Sequence, residues 1–148
     1  MYCLGCKLAN KRESAMIVLE DDYVCCILDH NPYNEGHVLI LPKNHIQYFD
    51  ELDEDTANSL IKAAKLLSST IKELFHPEGI TICQNGGAFD ELTHFHMHVI
   101  PRYKGQSFAD FYMEEETYQI EDKSILEATK DKMVNHLTKI KLQDFYSK

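Results

Sequence analysis

His94-Phe95-His96-Met97-His98-Val99-Ile100-Pro101-Arg102 sets three imidazoles in strict alternation with bulky apolar side chains. An extended strand places residues i, i+2 and i+4 on one face. On that reading the three histidines line one side while Phe95, Met97 and Val99 enter a core on the other. Neighbouring rings in such a row lie roughly 6–7 Å apart, close enough for two of them to act on one phosphate. Imidazole is also the side chain that titrates nearest neutrality. The row therefore offers a neutral nucleophile, a protonated donor and a metal ligand in one place. Each buried ring carries polar nitrogens that need partners, which argues against a purely structural trio. Spacing alone leaves two chemistries open: a three-histidine metal site with an open fourth position, and nucleophilic attack on phosphorus.

Working outward, short apolar runs alternate with turn chemistry. Residues 15–19 and 23–28 read as a hairpin separated by Asp21-Asp22. Asn31-Pro32-Tyr33-Asn34-Glu35-Gly36 is a loop, and residues 37–41 form a third strand closed by Pro42. Asp53 is an N-cap candidate, with Glu54 and Asp55 in a favourable first turn. Leu60, Ile61, Ala64, Leu67, Ile71, Leu74 and Phe75 then recur at helical spacing. They predict one amphipathic helix of about five or six turns, ending near Pro77 and Gly79. Residues 80–84 are a fourth strand, and Asn85-Gly86-Gly87 connects it to the histidine strand, the fifth. Further on, residues 108–113 suggest a short helical turn. Residues 122–142 suggest a weaker helix with Ile125, Met133, Leu137 and Ile140 on one side. The fold class is α+β: a five-stranded antiparallel sheet, one long helix between strands 3 and 4, and a C-terminal helical extension. One domain is expected over residues 1–148.

The net charge of −9, from 15 basic and 24 acidic residues, repels nucleic acid and anionic membrane at long range. Neither is expected as a partner. No apolar run reaches the roughly 18 residues of a membrane span. The first seven residues lack a signal-peptide pattern. Five cysteines, an odd count with Cys25 and Cys26 adjacent, fit a reduced, cytoplasmic protein better than a disulfide framework. Cys25, Cys26 and Cys83 read as strand and core residues. Cys3-x-x-Cys6 is ambiguous among zinc binding, redox chemistry and neither. No thioredoxin-like context surrounds it. No compact finger spacing supplies the two further ligands that a closed tetrahedral site needs.

The run from His94 to Ile100 resembles the His-x-His-x-His signature of the histidine-triad (HIT) superfamily. Asp29-His30-Asn31-Pro32, followed by Gly36-His37-Val38-Leu39-Ile40-Leu41-Pro42-Lys43-Asn44-His45, is similar to that superfamily's first conserved block. The likeness covers about residues 1–105, leaving about 106–148 as a C-terminal extension. It implies an enzyme that attacks the α-phosphate of a small-molecule nucleotide, a dinucleoside polyphosphate or a nucleoside phosphoramidate. His96 matches the nucleophile, forming a nucleotidyl-histidine that water then hydrolyses. His98 matches the residue that bonds a phosphate oxygen or assists the leaving group. Asp29 matches a ribose-binding position and His37 a histidine near the base or phosphate. Asn85 lies where the family places an amide or glycine contact to phosphate. Branches with an N-terminal cysteine pair hold zinc between it and two histidines. That implies a structural Zn2+ on Cys3, Cys6, His45 and His94, with His96 and His98 left for chemistry. A homodimer is implied as well.

The chain departs from the pattern at Asp90 and Glu91, where many relatives carry glutamine and then serine or threonine. Carboxylates beside an anionic substrate are unfavourable unless they point away or hold a cation. The departure motivates an alternative: a nucleotide-binding regulatory module with little turnover. His98 is intact where the nucleotidylyltransferase branch usually has glutamine, which favours water as the final acceptor.

Overall fold

Five strands, β1 (Ile17–Glu20), β2 (Val24–Leu28), β3 (Val38–Pro42), β4 (Gly79–Gln84) and β5 (Met97–Arg102), form one sheet in the order β1-β2-β3-β5-β4. Every neighbouring pair is antiparallel. Four helices accompany them in this computed structural model, which describes residues 2–112 and 120–146: α1 (Leu4–Ala9), α2 (Glu54–Phe75), α3 (Ala109–Tyr112) and α4 (Lys123–Tyr146). The α+β class and the long helix between the third and fourth strands are as the sequence predicts. Among the described residues no helix is long and apolar enough to cross a membrane.

Strand alternation sorts side chains onto two faces. Val24, Cys26 and Leu28 of β2, Val38 and Ile40 of β3, and Phe95, Met97 and Val99 join Leu60, Leu67 and Ile71 of α2 in the main core. Cys25 and Ile27 of β2 and Leu41 of β3 face the other way, against Ala9 of α1. All five residues of β2 are buried, so a strand covered on both sides reads as a continuous apolar run.

Asp53 caps α2 by accepting from the Thr56 backbone N–H at 2.8 Å and the Thr56 hydroxyl at 2.9 Å. The helix ends where His76 turns left-handed, φ 47°, directly before Pro77. Its buried stripe includes Leu60, Ala63, Ala64, Leu67 and Ile71. Ile61 is exposed, because one step along a helix rotates a side chain by roughly 100° off that stripe.

Two further expectations need correction. In α4 the buried stripe is Leu126, Thr129, Met133 and Leu137, while Ile125 is exposed and Ile140 half-buried. The stripe is set by contact with α2 and β1, and Ile125 is one residue out of phase with it. The fifth strand begins at Met97 rather than at the first histidine. Thr93 adopts φ 53°, a left-handed conformation rare for a β-branched residue, and Phe95 N–H bonds Ile46 C=O at 2.6 Å outside the sheet ladder. Finally, the segment around Cys3 and Cys6 is helical, which the pattern does not predict. The short helix after β5 spans Ala109–Tyr112, and Met113 of the expected turn lies outside the described residues.

Candidate active site and metal centre

β3 and β5 pair with Leu39 opposite His98, so His37, two residues before Leu39, shares a face with His98 and lies diagonal to it. The two rings are joined, His37 Nε2 to His98 Nδ1 at 2.9 Å. The Tyr33 backbone N–H donates to His37 Nδ1 at 3.1 Å. Because Nδ1 accepts, the His37 proton sits on Nε2 and is donated to His98 Nδ1, which leaves the His98 proton on Nε2. Burial and then the neighbouring His98 and His96 rings push the His37 pKa well below its ordinary value. Burial, then His96, lowers that of His98 to about 3. Both rings are therefore neutral near pH 7, and His98 ends the chain as a fixed N–H donor. Phe111 of α3 closes over the pair, its ring centroid 5.2 Å from His98 and 5.9 Å from His37.

His96 is oriented from the other side. Its Nδ1–H donates to the His94 backbone carbonyl at 2.9 Å. The free lone pair is then on Nε2, the nitrogen available for nucleophilic attack. The His96 and His98 ring centroids are 5.0 Å apart, closer than the strand repeat suggests, because His96 precedes the ladder. A nitrogen lone pair and a fixed N–H donor thus stand side by side.

Asp29 lies at the mouth of this group. Its Oδ2 is 3.6 Å from His37 Nε2, and its Oδ1 accepts the Asn31 N–H at 2.9 Å. Burial raises the Asp29 pKa, partly offset by that N–H. Asn85 follows β4, where Gln84 pairs with Met97. One more step of that register brings it alongside His96. Asp90 is buried and places Oδ1 3.5 Å from His96 Nδ1. Sequence reasoning marks Asp90 as a departure but not as a neighbour of the expected nucleophile. It also misses the Pro42 carbonyl and the ring of Phe111, whereas a backbone carbonyl on the same strand is what the family resemblance implies for the second nitrogen of His96, and the His94 carbonyl takes that place.

The first histidine of the row belongs to a second cluster. His94 Nε2–H donates to the Pro42 carbonyl at 2.8 Å, which frees Nδ1. That nitrogen is 3.5 Å from both Cys3 Sγ and Cys6 Sγ, and His45 Nδ1 is 3.3 Å from the same two sulfurs. All four ligand atoms lie within 4.8 Å of one another. A tetrahedral ion with bonds of about 2.3 Å to sulfur and 2.0–2.1 Å to nitrogen has S···N edges of about 3.6 Å. The cluster therefore fits a tetrahedral metal ion. Cys3 caps α1, its sulfur accepting the Cys6 N–H at 3.3 Å. Gly5 lets the α1 backbone press onto His94, since a Cβ there would lie 2.3 Å from His94 Cβ. Burial and the adjacent Cys3 raise the Cys6 thiol to about 11, a cost a bound cation reverses by pairing with both thiolates.

This layout can be set beside known proteins. The HIT domain family model matches residues 10–105. An uncharacterized HIT-like protein of Methanocaldococcus jannaschii is 41% identical over 105 residues, covering 70% of this chain and 81% of that protein. Adenylylsulfatase HINT3 of Arabidopsis thaliana is 31% identical over 102 residues, 68% of this chain and 52% of that protein. The crystal structure of a hypothetical histidine triad nucleotide-binding protein from Sulfolobus tokodaii superposes with a TM-score of 0.79 at 30% identity, covering 94% of both chains. With a family model that matches most of the chain and relatives of this identity and coverage, the chain belongs to the HIT domain family.

Proposed function

We propose that the protein is a nucleotide hydrolase that transfers a nucleotidyl group through His96 to water. The substrates are dinucleoside polyphosphates or nucleoside phosphoramidates attacked at the α-phosphate. The observation that carries this reading is the bond from His96 Nδ1–H to the His94 carbonyl. It holds the ring in the tautomer whose Nε2 can attack phosphorus. His98 Nε2–H, fixed by the His37 relay, donates to an α-phosphate oxygen or assists the leaving group, an oxygen in a polyphosphate and a nitrogen in a phosphoramidate, which departs as an amine with a proton taken up from solvent. Asp29 accepts from ribose hydroxyls, and the Asn85 amide contacts phosphate as the chain turns through Gly86. The relative named as an adenylylsulfatase and the neighbour named as nucleotide-binding support a phosphorus-centred chemistry on a nucleotide.

Cys3, Cys6, His45 and His94 hold a structural Zn2+ in this reading, tying the N-terminal helix to the sheet that carries the nucleophile. The protein works in the reduced cytoplasm as a homodimer, residues 1–148 forming one domain with an extension beyond about residue 105. Hydrolysis of a panel of both substrate classes by the wild type and His96→Ala tests the function. Turnover and an acid-trapped nucleotidyl adduct in the wild type, both lost in the variant, are expected. A wild type that binds nucleoside monophosphate yet shows neither turnover nor adduct would instead identify a regulatory binding module.

A further inference from the structure

Asp90 is a buried acidic side chain that the proposed reaction does not use. Its side chain is 2% exposed. Oδ1 accepts the Leu92 N–H at 2.9 Å and lies 3.5 Å from His96 Nδ1. Oδ2 is buried with no hydrogen-bond partner among the described residues. An unmatched buried carboxylate oxygen is costly. The neutral His96 ring offers little in return, because its Nδ1–H is committed to the His94 carbonyl.

The ring does not stay neutral in that reaction. The Nε2 lone pair forms the P–N bond while the bond from phosphorus to the leaving group breaks, the electron pair departing with that group. Nδ1 keeps its proton, so the imidazole becomes cationic. When water attacks, the O–P bond forms and the P–N pair returns to Nε2. The water proton passes to solvent and the ring is neutral again. A positive charge thus exists only between the two steps, on a ring whose Nδ1 side faces Asp90.

Resting on the nucleotidyl-transfer reading, we propose that Asp90 is a positioning residue whose carboxylate stabilises the cationic nucleotidyl-His96 and the transition states that flank it. The same negative charge opposes binding of an anionic phosphate in the ground state. Asp90 therefore favours the charged intermediate over bound substrate or product, the differential interaction that raises kcat rather than affinity. It also gives the amide-to-carboxylate departure at this position a chemical role.

Asp90→Asn tests this, because the amide oxygen still accepts from Leu92 N–H while the charge is gone. Metal-loaded wild type, Asp90→Asn and His96→Ala are compared on adenosine 5′-phosphoramidate and a diadenosine polyphosphate. AMP binding is measured by calorimetry, and the adduct is trapped by acid quench. For Asp90→Asn, kcat falls about tenfold or more, KM stays level or drops, the trapped adduct diminishes and AMP binds more tightly. A merely structural role would raise KM and weaken AMP binding. Asp90→Ser, which retains an acceptor hydroxyl, shows the same split. The proposal is overturned by kcat within twofold of wild type, by a loss confined to KM, by weaker AMP binding, or by failure of both variants to fold. If the wild type is active, His96→Ala is dead and Asp90→Asn matches wild type, only this proposal fails. If the wild type itself forms no adduct, the parent reading fails and takes this one with it.

Discussion

His94 and His96 are two residues apart, yet they present opposite nitrogens. His94 gives its Nε2–H to the Pro42 carbonyl and turns Nδ1 to two sulfurs. His96 gives its Nδ1–H to the His94 carbonyl and keeps Nε2 free. Neutral imidazole has one donor and one acceptor nitrogen, and whichever donates to a fixed carbonyl decides which lone pair remains. The two carbonyls thus leave one ring with Nδ1 turned to a cysteine pair and the next with Nε2 free. The partner of the second nitrogen, not the spacing of the histidines, sets the chemistry of each ring.

The sharpest way to break this contrast is to delete each half in turn. On the proposed function, His96→Ala removes the reactive lone pair, and hydrolysis falls by about three orders of magnitude or more, equivalent to about 4 kcal/mol of barrier. The fold and nucleoside monophosphate binding persist. Thermal unfolding and AMP calorimetry beside the rate assay check this, and residual turnover within tenfold of wild type would contradict the assignment. Deleting the other half should act on the fold first. On the proposed zinc site, chelation, or replacing Cys3 with Ser, releases α1 from the sheet. A site saturated at a thousand times its Kd stabilises by about 4 kcal/mol. Denaturant titration with and without chelator should show a loss of that order. The fraction still folded should retain most of its turnover, because His96 is held by a backbone carbonyl rather than by the metal. Immediate loss of activity with no loss of stability would make the metal catalytic and erase the contrast.

A smaller effect is expected at the relay. His37→Ala strips the donor from His98 Nδ1 and the acceptor from Tyr33 N–H, leaving two unmatched polar groups at a cost of about 1–3 kcal/mol each. It also frees His98 to exchange tautomers, so that its Nε2 no longer reliably donates. Nitrogen-15 imidazole spectra should show wild-type His98 protonated on Nε2 and the variant as a mixture. Turnover should fall with kcat rather than KM carrying the loss.

Much of the scaffold is legible in the amino-acid sequence. Strands β2 and β3 declare themselves as apolar runs that the core buries almost throughout, helix α2 declares itself by its one buried stripe, and Asp53 and Pro77 mark the limits of the helix. Helix α1 is not legible. Its 6 residues contain Gly5 and Cys6, and their reason for being helical lies in His94, far along the chain. The start of β5 is hidden because Thr93 takes a left-handed turn that propensity disfavours and tertiary contact imposes. The phase of α4 is ambiguous at Ile125 because apolar residues lie on more than one of its sides. At the site, the ligand and nucleophile positions can be carried over by resemblance. So can the same-strand carbonyl that holds His96, but the nitrogen that His94 presents cannot, since the carbonyl that fixes it belongs to Pro42, 52 residues away. In the sequence Asp90 conflicts with an anionic substrate, and only its burial against His96 reveals a different relation.

The smallest expected effect concerns acid, which attacks both halves and can be used to separate them. Burial holds His98 at about 3, against an ordinary value of 6.5. Between those values the unfolded chain binds a proton at this position and the folded chain does not. Stability therefore falls as pH drops through the ordinary value, and the loss grows until pH reaches the folded value. From pH 7 to pH 5 the contribution of His98 is about 2 kcal/mol. His37, depressed in the same direction, adds to the slope. His98→Gln removes one titrating group without touching Cys3, Cys6, His45 or His94. Denaturant unfolding at pH 7, 6 and 5 should therefore show a shallower acid loss in the variant by about that amount, while the dependence on added metal stays that of the wild type. If the two proteins lose stability in parallel, His98 is already charged in the fold. It could then not accept from His37, and the neutral relay that distinguishes the reactive half from the metal half would not exist.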